Sequence, residues 1–264
     1  MMSRIQSRVL LILAALACCS ITAAAQLYSV PKALSLDAAV KREFPTRLKN
    51  SNGDIDLITE GFYPIGWSRD GKFAYVHEPV DEECGCYYAN VVIQDMRTDK
   101  ILWEFAYDQE ELSNPKTGKM PPEDTLAKLW RKHQKLFSRK LRQYGIQAGP
   151  SVMLGKKVKT GNYTYEAGVT FDKKGEPDDL GIGNIMMSLS SRPWQGAKTI
   201  FYVPADDPEY TYKLDIAVLG IIRSPFERRL AVIGMEVNRG WEGTPNTGYV
   251  RVVGSDLHFG NEHD

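Results

Sequence analysis

Reactive side chains are scarce: the 264 residues include four histidines and four cysteines. Cys18 and Cys19 fall in an N-terminal apolar run, which leaves only Cys84 and Cys86 in the body of the chain. That excludes a disulfide-dense scaffold, and a body of about 239 residues can bury a core without one. Long hydrophobic runs are missing too. The run Val9 to Cys19 falls short of the ~20 residues a bilayer-spanning helix needs, and no later stretch replaces it, so no transmembrane segment is expected in the mature chain. Nor is there an excess of one charge. Lys and Arg number 33 and so do Asp and Glu; without Arg4 and Arg8 the body carries a formal charge of −2, which argues against a nucleic-acid partner.

Catalytic signatures are absent as well. Gly66-Trp67-Ser68-Arg69-Asp70-Gly71 lacks the Gly-x-Ser-x-Gly spacing of a nucleophile elbow and sits in a hairpin context. Gly181-Ile182-Gly183 lacks the third glycine of a nucleotide loop. The acidic turns Asp172 to Asp179 and Asp206 to Glu209 do not follow the alternating pattern of a calcium loop. No catalytic or cofactor-binding residue is assigned, and no cofactor is expected. What remains, with 43% hydrophobic and 25% charged residues, has the composition of an ordinary globular protein.

The first residues predict export. Arg4 and Arg8 precede the apolar run, and Ala23-Ala24-Ala25 offers small residues for cleavage before Gln26, the three parts of a signal peptide. Residues 1–25 are therefore read as leader and residues 26–264 as the mature body, with two subdomains of about 26–115 and 116–264 as one division of it. Cys18 offers a lipid-attachment alternative, but Ala15-Leu16-Ala17 lacks the leucine three places before the cysteine, so periplasmic or secreted release is the expectation.

Within the body, one helix stands out. From Pro122 to Tyr144 the apolar positions Leu126, Leu129, Trp130, His133, Leu136, Phe137, Leu141 and Tyr144 recur at helical spacing, with Lys128, Arg131, Lys132, Lys135, Arg139 and Arg142 on the other face. Pro121-Pro122-Glu123-Asp124 suits its start and Gly145 its end. The basic positions read first as a solvated face, with anionic lipid or an acidic partner as the alternative. His133 falls on the apolar stripe and reads as a packed, hydrogen-bonded histidine. A shorter helix is expected from Ser35 to Phe44, capped by Ser35.

Elsewhere the signals are strands and turns. Ile65 to Val76 holds two strand-like segments around Ser68-Arg69-Asp70-Gly71-Lys72, where glycine supplies positive φ and the aspartate is expected to bond amides across the turn. Tyr88 to Gln94 and Lys100 to Phe105 form a second hairpin. The strand, turn, strand, loop, strand unit returns from Gly220 to Gly254, with Ser224 in the place of Ser68 and Ala231 in that of Ala74, one extra residue lying in the second turn. The expected fold is mainly β within the α+β class: two blade-like antiparallel sheets from an internal repeat, strands from Val169 to Val203 added to them, and the long helix packed on the body. Two copies are too few for a closed propeller of ~4 to 8 blades.

These hairpins resemble the Trp-Ser-Pro-Asp-Gly-Lys hairpin of TolB-type and prolyl-oligopeptidase-type propeller blades, with Arg69 in place of the proline. Together with Gly240-Trp241-Glu242-Gly243 and Tyr249-Val250-Arg251-Val252-Val253-Gly254, they are also similar to an uncharacterised family of predicted secreted bacterial proteins. That resemblance spans about Phe62 to Leu257 and implies export without assigning a reaction.

The densest set of potential ligands is the segment His77-Glu78-Pro79-Val80-Asp81-Glu82-Glu83-Cys84-Gly85-Cys86. A Cys84–Cys86 disulfide fits an oxidising compartment. A metal held by His77, Cys84 and Cys86 is the second reading, with at most three ligands and without the usual Cys-x-x-Cys spacing. Redox catalysis is the third, and the neighbouring acids oppose it by raising thiol pKa values. The expected function is a non-catalytic periplasmic or secreted binding module that meets an envelope protein or surface component, with Trp67, Trp194 and Trp241 as candidate contact aromatics; the alternative is an envelope enzyme or a metal or redox protein centred on the His77 to Cys86 segment.

Overall fold

Each Ser-centred hairpin seeds one sheet, and the strands between them make a third. The computed structural model describes residues 27–46, 56–81, 85–174, 181–193, 196–208, 213–240 and 243–259. The leader with Cys18, and also Glu82, Glu83, Cys84, Trp194, Trp241, Glu209 and His263, lie outside the described residues. In chain order the elements are α1 (Asp37–Glu43), β1 (Leu57–Thr59), β2 (Gly61–Trp67), β3 (Lys72–Glu78), β4 (Tyr88–Asp95), β5 (Ile101–Asp108), α2 (Leu126–Gln143), β6 (Gln147–Ala148), β7 (Met153–Leu154), β8 (Lys157–Thr160), β9 (Tyr163–Lys174), β10 (Gly181–Arg192), β11 (Gly196–Val203), β12 (Lys213–Arg223), β13 (Arg229–Gly240) and β14 (Gly243–Asp256).

The fold is mainly β. The first sheet has the order β5-β4-β3-β2-β6, the second β1-β14-β13-β12-β7, and the third β11-β10-β9-β8. All pairings are antiparallel except β1 with β14. The strands expected between Val169 and Val203 thus form a sheet of their own. Three apolar clusters show the layering. Leu129, Trp130, Phe137 and Leu141 of α2 pack on Ala74, Val76, Val91 and Ile93 of the first sheet. The opposite face of that sheet, through Phe62, Phe73 and Tyr75, meets Leu219, Ile233 and Met235 of the second, with α1 tucked in. Val218, Ile221 and Val232 then face Tyr165, Ile185 and Leu189 of the third. The order is helix, sheet, sheet, sheet. Because the middle sheet is covered on both faces, β12 and β13 read as nearly unbroken apolar runs rather than alternating ones.

The repeat is carried into the register. Ala74 pairs with Gly66, two residues before Ser68, and Ala231 pairs with Ile222, two residues before Ser224. Ser68 N–H donates to the Lys72 carbonyl at 2.9 Å and Ser224 N–H to the Arg229 carbonyl at 2.9 Å, so the extra residue is absorbed inside the second turn. In the first turn the side-chain role falls to Ser68, not to Asp70. Its Oγ accepts from Lys72 N–H at 2.8 Å and donates to Asp70 at 2.6 Å.

Both helices begin later than their sequence signals. Leu36 takes the N-cap position of α1 with no side-chain hydrogen bond, so Ser35 does not cap. Thr125 caps α2, its Oγ1 accepting from Lys128 N–H at 3.4 Å, while Asp124 and Glu123 pair with Lys128 and Lys132. At the other end Gly145, at φ 69°, closes a Schellman motif: Ile146 N–H reaches the Leu141 carbonyl at 2.9 Å and Gly145 N–H that of Arg142 at 3.0 Å. The segment before α1 runs along the same helix. Tyr28 N–H donates to Ser138 Oγ at 3.2 Å, its carbonyl accepts from Trp130 Nε1 at 2.9 Å, and its hydroxyl donates to the Ile146 carbonyl.

The C-terminal tail is pinned as far as Phe259. Leu257 is fully buried, the Phe259 ring lies 5.8 Å from that of Tyr165, and Lys198 bonds the carbonyls of Asp256 and His258. No helix among the described residues is long and apolar enough to cross a membrane.

Candidate functional site

The His77 to Cys86 segment joins β3 to β4, and strand alternation sends its first two side chains to opposite faces. His77 turns into the gap between the first two sheets. Its Nδ1 lies 3.1 Å from Glu60 Oε2, and its ring is 6.2 Å from that of Tyr75. Glu60, 4% exposed, also accepts the Val250 N–H, so this carboxylate ties β14 to the end of β3.

Glu78 turns the other way, towards the helix side. Its two oxygens accept the hydroxyls of Tyr63 and of Tyr87, the latter at 2.5 Å. Burial, and then the hydrogen bond and charge of Glu78, push both phenols well above their ordinary range, so they stay protonated and donate. Gly61 makes room for this pair. A Cβ there would stand 2.9 Å from Tyr63 Cε2 and 3.0 Å from Glu78 Oε2. The row continues through Tyr107, 6.0 Å from Tyr87 ring to ring, whose hydroxyl lies 3.5 Å from Glu123; burial and Glu123 push it up to about 12.

The far end of the segment is held as firmly. Asp81 accepts the Cys86 N–H at 2.7 Å, and Cys86 is buried. Gln109 accepts the Tyr87 N–H at 2.9 Å and donates to the Pro121 carbonyl at 2.8 Å. The structure therefore brings His77, Glu78, Asp81 and Cys86 to one end of the first sheet, with their described partners in structural hydrogen bonds. Among the described residues no group of three His, Cys, Asp or Glu side chains is placed to share a metal ion.

Sequence reading missed Glu60, Tyr63, Tyr87 and Gln109, each unremarkable in its own stretch of chain. The one local signal was Gly61 directly opposite Glu78, a close-approach glycine in a strand. The other site expectations resolve by burial. Trp67 is 3% exposed, 4.7 Å from the Phe73 ring, and belongs to the core rather than to a contact surface. His133 packs against Phe105 at 4.8 Å and Phe137 at 5.8 Å; aromatic rings stand where a hydrogen-bond partner was expected.

Clefts of about 490 and 470 Å³ flank the N-terminal segment, the first lined by Leu27, Tyr28, Arg142 and Ile146, the second by Val30, Leu34, Pro64 and Gly149. Neither includes a residue of the β3–β4 segment. No protein-family profile, curated protein or solved structure matches this chain. The class is thus defined by its architecture alone: a three-sheet stack built on a repeated hairpin unit and faced by one helix.

Proposed function

We propose that the chain is an exported, non-catalytic binding module that presents the β3–β4 segment to an envelope protein or surface component. The observation that carries this reading is the clamping of both ends of the segment: Glu78 is saturated by two tyrosine hydroxyls, and Asp81 is spent on the Cys86 amide. Carboxylates so engaged serve as anchors that hold the two ends of the segment on a rigid sheet, and ends held in place lower the entropic cost of recognition. Between these anchors the sequence adds two further acids, Glu82 and Glu83, and a Cys84–Cys86 disulfide that an oxidising compartment would maintain. The leader read from Arg4 to Ala25 supplies that compartment.

The test uses protein recovered from the exported fraction. A photoreactive residue in place of Glu83 should give a discrete cross-linked species that the same residue in place of Thr170, on the far sheet, does not, and Cys84 and Cys86 should label only after reduction. Stoichiometric zinc or copper lost on Cys86→Ser would instead sink the binder reading and make the segment a metal site.

A further inference from the structure

Although the chain as a whole is nearly neutral, α2 carries seven cations and no acid along Leu126 to Gln143. Two of the seven are spent locally, Lys128 on Asp124 and Lys132 on Glu123, and Lys140 lies over the Trp103 ring at 5.9 Å. Arg131, Lys135 and Arg139 are exposed, one helical turn apart, and have no ion-pair partner among the described residues. Four residues apart on a helix is one face, so they form a row on the outermost layer of the stack. Beside this row lies the N-terminal segment, fixed by Tyr28 against Trp130, Gln134 and Ser138. It exposes Leu27 at 53% and Val30 at 40%. Leu27 lines a cleft together with Arg142 of the same helix, so an exposed apolar side chain lies at the edge of this cationic element.

From this we infer that the outer face of α2, with Arg131, Lys135 and Arg139 and with Leu27 at its edge, is a docking surface for anionic phospholipid. Charge complementarity selects the headgroups, and the exposed Leu27 side chain favours an interface over a soluble polyanion.

The test is co-sedimentation of the mature protein with phosphatidylcholine vesicles lacking or containing phosphatidylglycerol. Binding should require the anionic lipid and weaken as salt is added. Each cation removed should cost about fivefold in partitioning, so Arg131→Gln/Lys135→Gln/Arg139→Gln should bind on the order of a hundredfold less. Leu27→Ser should weaken vesicle binding while leaving retention on heparin unchanged. Equal sedimentation with both vesicle types overturns the inference, as does unchanged binding by the triple variant. Retention on heparin with no vesicle binding also overturns it and points to a soluble polyanion. An unaltered thermal transition in the variants separates loss of the surface from loss of the fold, and N-terminal sequencing of the exported protein tests the leader separately.

Discussion

The Arg69 guanidinium lies 5.6 Å from the centre of the Phe226 ring, and the two residues belong to the turns of different copies of the repeat. The turns are joined elsewhere as well. Arg97, in the turn of the second hairpin of the first sheet, pairs with Glu227, and Arg229 donates to the Met96 carbonyl. The two repeats therefore contact each other through the very segments that define them.

Gly71 sits at this joint with φ 89°, and a Cβ there would fall 2.5 Å from Glu227 Oε1 and 2.9 Å from Arg229 Nε. Gly71→Ala combines backbone strain with a clash, and we expect it to destabilise the protein by about 1–3 kcal/mol in urea unfolding. A midpoint unchanged from the parent would mean that the turns do not couple the sheets.

How far the fold could be read from sequence follows from the range of the interactions. The hairpins at Ser68 and Ser224 were legible because a turn and two strands are local. The core face of α2 was legible because its period is set by the helix itself. The helix start was displaced because Pro121-Pro122-Glu123-Asp124 and Thr125 both resemble a start, and only the cap geometry distinguishes them. The docking of Tyr28 and the Glu60 tie to Val250 span about a hundred residues or more, and the separateness of the third sheet, itself a local meander, is decided by how layers stack; none of these leaves a periodic trace. In the candidate site the ligand-rich segment was visible as composition, but its partners Tyr63, Tyr87 and Gln109 come from other strands and turns.

Removing one hydroxyl from Glu78 should be costly, because the carboxylate loses a donor in a half-buried position. Tyr87→Phe and Tyr63→Phe should each cost about 1–2 kcal/mol, and the double variant should depart from their sum because both act on one carboxylate. A double-mutant cycle in denaturant measures this, and strict additivity would argue against the clamp.

Glu236 is 2% exposed and lies between Lys213, at 2.5 Å, and Arg251. Burial works to raise its carboxyl, but the two cations overcome it and leave the group below its ordinary value of 4.5. Its contribution is therefore fully present above that value and is lost as pH falls through the lowered pKa. Glu236→Gln removes a buried carboxylate that Lys213 and Arg251 both face, and we expect a loss of about 3–5 kcal/mol at neutral pH together with a flatter acid limb. Denaturant titrations along an acid series would show both.

His133 gives the opposite charge type and a higher pH window. Burial against Phe105 and Phe137, then the charge of Lys132, hold its pKa below the ordinary 6.5 against the pull of Glu123. The unfolded chain binds the proton more readily, so stability falls as pH drops from about 6.5 towards the lowered value. His133→Phe should remove that slope between about pH 7 and 5 while leaving the loss at lower pH that the carboxylates cause. Equal slopes for parent and variant would place the histidine in an ordinary aqueous setting.

Strand β14 lies between β13, next to it in sequence, and β1, almost two hundred residues earlier. During synthesis β1 is made early and waits for its partner until β14 has been made. A product stopped short of Gly243 would lack the strand against which both β1 and β13 close, leaving one flank of the middle layer open to water. Synthesis through β14 is thereby made a condition of closing that flank, so a fragment announces itself by its exposed apolar surface.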